Sequence, residues 1–425
     1  WLTEEIWEEA RHVLLENVSI LDQVQPIVSV VLQGTGELVV KEGIFVANSQ
    51  APLEIAIAAG GTAGHINPAL ALAEELRERG HHVRFFGQPN KLEGTLVPEA
   101  GFELVPIHVS GFNRRKPWTL ISAGIQMEKA KAGLQRLFAR EGAPDVAVGF
   151  GAYVELPLMR WCAAHKVPYV LHEQNSVTGL ANRVSARAAT RVCVAFPQAK
   201  SAFLEHVSDP DRIVVTGNPV RRSVLNAQRE PSRHALGVHD DEVFLLIFGG
   251  SLGARSLNNA VIGLKEQLLS CPGVRILQSC GAELYDEVVD ALKLSEEEKR
   301  RWEVRPYISN MGEALAAADC IVSRSGASSV AEIAARALPS ILVPFPLATA
   351  DHQTTNAHLL SDVGAAVLVP DDEVATESFS TPLLKMVEDA DMRFEMHKAA
   401  QGLDQGRSAQ LLADQVELSA QARSV

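Results

Sequence analysis

Residues 54–65 run Glu54-Ile55-Ala56-Ile57-Ala58-Ala59-Gly60-Gly61-Thr62-Ala63-Gly64-His65, and the fold follows from how that run changes character. Residues 54–59 are a small-residue apolar strand without polar alternation, the pattern of a strand buried on both faces. Two glycines break it. From Pro68 the pattern Ala69-Leu70-Ala71-Leu72-Ala73-Glu74-Glu75-Leu76 is helical, with an early Pro and a stop at Gly80. Val83-Arg84-Phe85-Phe86-Gly87 is the next strand. Strand, helix and strand predict a βαβ unit, hence a parallel sheet covered by helices on both faces.

The alternation continues outward. Strands are expected at 145–149, 168–172, 192–195 and 213–216, with a helix near 156–165. After Gly217-Asn218-Pro219-Val220-Arg221 it restarts. Phe244-Leu245-Leu246-Ile247-Phe248 leads into a second glycine turn, Gly249-Gly250-Ser251-Leu252-Gly253-Ala254, and a helix near 257–269. Two such turns, each after an apolar strand, predict two doubly wound α/β lobes with a ligand between the carboxyl ends of their strands. The lobes are expected at 51–219 and 220–425, the final helix packing back on the first. Residues 1–50 differ: 3–16 read as an acidic amphipathic helix with Ile6, Val13 and Leu14 on one side, and 28–40 as a hairpin around Gly34-Thr35-Gly36. No chemistry attaches to this extension.

Composition narrows the class. The chain has 425 residues, 47% of them hydrophobic, which suffices for more than one core. A formal charge of −13 argues against a nucleic-acid surface. Five scattered cysteines without a C-x-x-C pair suit reduced thiols. No apolar run is long enough to span a bilayer, and no secretory signal is read. The chain opens on Trp1 rather than Met, so the natural N-terminus is expected to lie outside it.

Several stretches carry chemistry. Cys320-Ile321-Val322 ends a buried strand, and Ser323-Arg324-Ser325-Gly326-Ala327-Ser328-Ser329-Val330-Ala331-Glu332 turns at Ser-Gly into a helix of small residues. Backbone N–H groups and a positive dipole end gathered there suit a phosphate. Ser325, Ser328 or Ser329 is expected to cap the helix. Glu332, about one turn in, can accept two hydrogen bonds from a vicinal diol. The competing reading is an ordinary capped helix on a sheet. His65, beside the first turn, is expected to be neutral at pH 7 because the helix dipole lowers its pKa, leaving it either a base or a cap.

His172-Glu173-Gln174-Asn175 closes a strand on the crevice side, where four polar residues need partners. Asn175 suits an amide or hydroxyl. His172 and Glu173 are adjacent on a strand and point to opposite faces, which disfavours a metal site. Asp351-His352-Gln353, with Asn356 later, offers Gln353 to sugar hydroxyls. The triplets Asp209-Pro210-Asp211 and Asp389-Ala390-Asp391 read as solvated surface rather than metal ligands. Neither glycine turn is a Walker A loop or a G-x-G-x-x-G fingerprint. Phe112, Arg114, Arg115, Lys116 and Trp118, followed by an amphipathic segment with Lys129, Lys131, Arg136 and Arg140, fit either an anionic membrane surface or a solvated helix.

Taken in order, Gly60-Gly61-Thr62-Ala63-Gly64-His65, Leu171-His172-Glu173-Gln174-Asn175, Gly217-Asn218-Pro219-Val220-Arg221, Gly249-Gly250-Ser251-Leu252-Gly253-Ala254, Ser323-Arg324-Ser325-Gly326-Ala327 and His352-Gln353 resemble the MurG family of UDP-N-acetylglucosamine:N-acetylmuramyl-(pentapeptide)-pyrophosphoryl-undecaprenol transferases. The resemblance covers about residues 53–415. It implies a GT-B fold and a cofactor-free, metal-independent, inverting transfer of GlcNAc from UDP-GlcNAc to the 4-hydroxyl of lipid-linked MurNAc-pentapeptide. It implies that Thr62, Ala63 and Gly64 face the phosphate and acceptor region, with His65 as candidate base. Asn175 would contact the donor, Arg221 and Ser251 would lie near the nucleotide, and Ile308 would present its backbone to uracil. Ala327, Ser328, Ser329, Val330, Ala331 and Glu332 would wrap the diphosphate and ribose, and Gln353 would hold the sugar. A peripheral site on the cytoplasmic membrane face is implied too, with cell-wall synthesis proteins as partners. Two departures stand out: Ala63 replaces the family's usual Gly, and Glu155-Leu156-Pro157 is atypical on the acceptor side. Other two-lobed UDP-sugar enzymes, such as a different lipid glycosyltransferase or a UDP-GlcNAc 2-epimerase, and a non-catalytic nucleotide-sugar-binding protein are the alternatives.

Overall fold

The structure, a computed structural model, describes residues 27–32, 38–43, 51–109, 119–250, 252–403 and 405–421. The chain divides into two units, Trp1–Pro52 and Leu53–Val425. In the first, β1 (Ile27–Leu32) pairs antiparallel with β2 (Leu38–Gly43), placing Val30 opposite Val40. This is the expected hairpin; the helix expected over 3–16 lies outside the described residues.

The second unit holds two sheets. The first contains β3 (Glu54–Ala58), β4 (His82–Gly87), β5 (Glu103–Pro106), β6 (Val146–Gly149), β7 (Tyr169–Glu173), β8 (Arg191–Val194) and β9 (Ile213–Val215), in the order β5-β4-β3-β6-β7-β8-β9. The other contains β10 (Val243–Phe248), β11 (Val274–Ser279), β12 (Trp302–Arg305), β13 (Cys320–Ser323), β14 (Ser340–Leu342) and β15 (Ala366–Leu368), in the order β12-β11-β10-β13-β14-β15. Every neighbouring pair in both sheets is parallel. These are the two doubly wound lobes that the glycine turns predict, in the GT-B arrangement that the family resemblance implies.

Strand order also locates the crevices. It reverses between β3 and β6 in one sheet and between β10 and β13 in the other. Ligands of open α/β sheets bind outside the carboxyl ends of strands at such switch points. The switch points hold Gly60-Gly61 and Gly249-Gly250, together with the turns that follow β6 and β13.

Two helix boundaries differ from expectation. The first helix, α1 (Ala63–Glu78), starts five residues before Pro68 and carries the proline inside it. The helix expected over 257–269 is two, α2 (Arg255–Gly263) and α3 (Lys265–Ser270), which break at Leu264 after a glycine of low helix propensity.

The final helix, α4 (Ser408–Gln421), belongs by its packing to the first lobe. Leu412, Ala413 and Val416 are fully buried in the cluster that also holds Ile57, Leu70 and Val148. Burying Leu412 and Val416 contributes about 1.5–3 kcal/mol each. Arg79 closes the contact: Nη1 lies 2.7 Å from Asp414 and 2.9 Å from Glu417, while Nε lies 2.9 Å from Glu75. His81 Nε2 meets Glu417 at 2.9 Å. The chain thus crosses to the second lobe near Gly217 and returns at its end.

Candidate active site

At the first switch point, β3 runs through Gly60-Gly61 into α1. Thr62 is the N-cap residue in extended backbone, yet its hydroxyl caps no N–H. It lies 2.9 Å from Nδ1 of His65 instead. Ala63, Gly64 and His65 fill the first helical turn and are half-buried. Enclosure pushes the His65 imidazole down to about 4, so it is neutral at pH 7. The expectation of a neutral histidine stands, but the cause is desolvation rather than the dipole. In the tautomer with Nδ1–H donating to Thr62, Nε2 keeps a free lone pair. That nitrogen faces Gly151 in the turn after β6: a Cβ there would lie 3.5 Å from it, and Gly151 has a φ of +81°.

Three buried carboxylates hold the loops around His65. Glu93 opens the short helix Glu93–Glu99; its Oε2 accepts from Gly61 N at 3.1 Å and its Oε1 from Gln88 N at 3.1 Å. Glu155 accepts from Gly151 N at 2.6 Å. Glu173 accepts from Gly179 N at 2.8 Å, Asn182 Nδ2 at 2.9 Å and Asn175 N at 3.1 Å. Burial pushes Glu155 up to about 8, which leaves it a neutral acid at pH 7. Burial also raises Glu173, against those donors and the side-chain amide of Asn175. The atypical Glu155 is therefore a fully buried brace beneath the turn, not a side chain in the cleft. With its oxygens engaged by four donors, Asn175 Nδ2 among them at 3.5 Å, Glu173 is poorly placed to take a substrate proton.

His172 is part of the same network. Its Nε2 donates to Gly217 O at 3.0 Å, and its Nδ1 accepts from Gln174 Nε2 at 3.1 Å. Burial lowers it to about 4, so it stays neutral and ties β7 to the crossover between lobes.

At the second switch point, β13 runs through Ser325-Gly326 into α5 (Ala327–Ala335). Gly326 is the N-cap residue, with no side-chain bond. The expected serine cap is therefore corrected: glycine reaches the extended N-cap conformation, and Ser328 and Ser329 already lie inside the helix. Ser325 Oγ and Ser328 Oγ are buried without a protein partner. The first-turn N–H groups of Ala327, Ser328 and Ser329 have no intrahelical acceptor. Val330 and Ala331 are buried in the core behind them. Glu332 is half-buried; enclosure raises it to about 7, opposed by the positive charge of Arg221. Arg221 Nη2 also meets Glu74 of α1 at 3.2 Å, so the crossover segment joins the two lobes beside Glu332.

Arg324 is buried and fully engaged. It donates to Val343 O at 3.2 Å, Pro344 O at 2.9 Å and Ser256 Oγ at 2.9 Å, and pairs with Asp371 at 2.6 Å. Ile308 is 2% exposed, so its side chain belongs to the core and only its backbone can meet a ligand. Gln353, in α6 (His352–Ser361), accepts from Phe345 N at 2.9 Å, which leaves its amide N–H groups to donate. Ser251, and Gly111 to Trp118 with the basic patch, lie outside the described residues.

The two halves touch. Ser176 N donates to Asn356 Oδ1 at 3.2 Å, Ser176 Oγ to His352 O at 3.2 Å, and Asn356 Nδ2 to Ser325 O at 3.3 Å. Ala195 and Phe196 pack on Ala327. The loop carrying Asn175 is thereby fastened to the turn carrying Ser325. Glu93 and Ser176 escaped the sequence reading, since nothing separates them there from other polar loop residues. Arg324 stood inside a quoted motif, but its fourfold engagement needs distant partners. The two Asp-x-Asp triplets prove to be helix caps: Asp209 accepts from Asp211 N at 3.0 Å and Asp389 from Met392 N at 2.9 Å. Among the described residues, no three His, Cys, Asp or Glu side chains gather as metal ligands.

Comparison with known proteins agrees with this geometry. Residues 55–194 match the glycosyltransferase family 28 N-terminal domain and residues 244–416 its C-terminal domain. The chain is 39% identical over 329 residues to the UDP-N-acetylglucosamine--N-acetylmuramyl-(pentapeptide) pyrophosphoryl-undecaprenol N-acetylglucosamine transferase of Moorella thermoacetica, covering 76% of this chain and 87% of that one. It is 37% identical over 370 residues to the Desulforudis audaxviator protein of the same name, covering 86% and 98%. Among solved structures, Acinetobacter baumannii MurG superposes with a TM-score of 0.65 at 27% identity, covering 86% of this chain and 99% of that one. A putative UDP-N-acetylglucosamine 2-epimerase from Listeria monocytogenes gives 0.62 at 14% identity, covering 85% and 94%, a likeness of fold alone.

Proposed function

Because this chain belongs to the MurG family of N-acetylglucosamine transferases within glycosyltransferase family 28, we propose that it moves GlcNAc from UDP-GlcNAc to the 4-hydroxyl of undecaprenyl-pyrophosphoryl-MurNAc-pentapeptide, the step from lipid I to lipid II. The observation that carries the chemistry is the pairing of two unlike switch points: a neutral histidine on one, an uncapped helix end with buried hydroxyls on the other.

The donor binds the second lobe. N–H groups of Ala327, Ser328 and Ser329 and the hydroxyls of Ser325 and Ser328 meet the diphosphate. Glu332 accepts the two ribose hydroxyls, Ile308 offers backbone to uracil, and Gln353 donates to the sugar. Arg221 lies toward the nucleotide, a role the family resemblance also gives Ser251, and Asn175, held by Glu173, reaches across to the donor. Thr62, Ala63 and Gly64 line the acceptor side. In the transfer, the 4-hydroxyl gives its proton to His65 Nε2 while its oxygen bonds to the anomeric carbon. The bond from that carbon to the diphosphate breaks on the opposite face, and UDP leaves with the electron pair. A positioned base contributes about 10²–10⁴ in rate. The helix end stabilises the charge growing on UDP, so no cation is needed.

The acceptor is a lipid, so the cleft must approach a membrane. No described helix is long and apolar enough to cross one. The amphipathic helix Thr119–Glu141, with Lys129, Lys131, Arg136 and Arg140 and an exposed Ile125, supports docking on the anionic cytoplasmic face beside the 111–118 segment.

One assay tests the reading: protein, UDP-GlcNAc and lipid I, with and without chelator, analysed for lipid II. Lipid II formed at equal rates in both is the expected result. Conversion of UDP-GlcNAc without lipid I would favour an epimerase, and no conversion would favour a binding protein.

A further inference from the structure

We infer that Glu93 is a positioning residue for the transfer, setting the His65 turn by clamping the ends of two neighbouring strands. This rests on the proposed role of His65.

The clamp is visible atom by atom. Glu93 is 0% exposed. One oxygen accepts from Gly61 N at the end of β3, the other from Gln88 N at the end of β4, both at 3.1 Å. Both oxygens therefore act as acceptors, a role that an amide cannot fill on both sides. Gly61 sits at a φ of +88°, one residue before Thr62, whose hydroxyl holds His65. The carboxylate lies so close beneath the turn that a Cβ on Gly60 would overlap Oε1, and a Cβ on Gly87 would come within 2.9 Å of Glu93 Cγ. The strut continues through Gln88. Its Oε1 accepts from Tyr153 OH at 3.2 Å, and its Nε2 donates to Val109 O. Tyr153 belongs to the turn that carries Gly151, the residue facing His65 Nε2. A single buried carboxyl group thus links the backbone on both sides of the imidazole. Its hydrogen bonds to Gly61 and Gln88 both lie in the first lobe, whereas the donor is placed in the second.

The test uses Glu93→Gln, which keeps the volume but turns one acceptor into a donor against a backbone N–H. The intact protein is assayed for lipid II formation, for UDP-GlcNAc affinity by calorimetry and for Tm. Misplacing a catalytic group by about 1 Å costs roughly 100-fold in rate. The expected result is a kcat lowered about ten- to hundred-fold, with donor Kd within twofold of wild type. Gly60→Ala, which leaves Glu93 in place but pushes its carboxylate aside, should reproduce that split if Glu93→Gln fails to fold. A kcat within twofold of wild type in either folded variant overturns the inference, as does a loss shared equally by donor affinity. Failure of wild-type protein to make lipid II would instead overturn the function on which this rests.

Discussion

The two switch points begin alike, an apolar strand and then a double glycine, and are braced by opposite kinds of group, acceptors in one and donors in the other. In the first lobe, carboxylates hold the loops: Glu93, Glu155 and Glu173 take up the N–H groups of Gly61, Gly151, Asn175 and Gly179. In the second, a guanidinium does so: Arg324 takes up the carbonyls of Val343 and Pro344. The difference follows from what each crevice must offer. A backbone N–H spent on a buried carboxylate is lost to a phosphate. A brace that binds carbonyls leaves the N–H groups at the start of α5 available. The carboxylates around His65 bind the N–H groups of Gly61, Gly151, Asn175 and Gly179, not those of Ala63 and Gly64 on the acceptor side.

The sharpest way to break this comparison is to remove the chemistry of one crevice without touching the other. His65→Ala should lower kcat by about 10²–10⁴ while donor affinity, measured by calorimetry, stays near wild type. Turnover within a few-fold of wild type would move the base elsewhere. Glu332→Ala should do the reverse and abolish most UDP-GlcNAc affinity in a folded protein. Each hydrogen bond lost to a charged group is worth on the order of 1.5–3 kcal/mol.

The same contrast predicts two pH profiles. Glu332 is raised to about 7, and the ribose diol needs the carboxylate; donor affinity should therefore fall as pH drops below 7, up to about tenfold per unit, and level off above it. His65 is lowered to about 4, so it remains a base throughout that window, and kcat at saturating donor should stay flat from pH 5 to 8. A kcat limb near 7 with pH-independent donor binding would exchange the two roles. Arg324→Lys sharpens the brace itself. It keeps the charge but loses the planar fork that reaches Ser256, Asp371 and two carbonyls. Donor affinity should fall about tenfold, with the His65-side pH profile unchanged.

The remaining test concerns the membrane, and it leaves the chemistry of both crevices untouched. Replacing Arg114, Arg115, Lys116 and Trp118 should weaken binding to phosphatidylglycerol vesicles by about 1 kcal/mol per basic residue, less at high salt. Activity on a short soluble acceptor should survive. Equal vesicle binding by wild type and variant would place docking on another surface.

The sequence by itself determined the parallel two-lobed architecture. Small apolar strands followed by glycine turns have few other solutions, and the strand-turn-helix local order is written in adjacent residues. It also determined the family, through six motifs in sequence order, and brought His65, Glu173, Arg221 and Glu332 forward by their positions at strand and helix ends. Tertiary structure alone decided which polar residues serve the ligand and which serve the loops. Glu155 looked like a doubtful acceptor contact and is a buried brace. Two Asp triplets that read as solvated surface cap helices. The serines expected to cap α5 leave it uncapped, and two of them have buried, unpartnered hydroxyls. Arg79, near the end of the first helix, holds the last helix of the chain through Asp414 and Glu417. The reason is common to all four. A carboxylate, hydroxyl or guanidinium carries the same letter whether it faces water, backbone or substrate, and its role is set by partners tens to hundreds of residues away that no local pattern encodes.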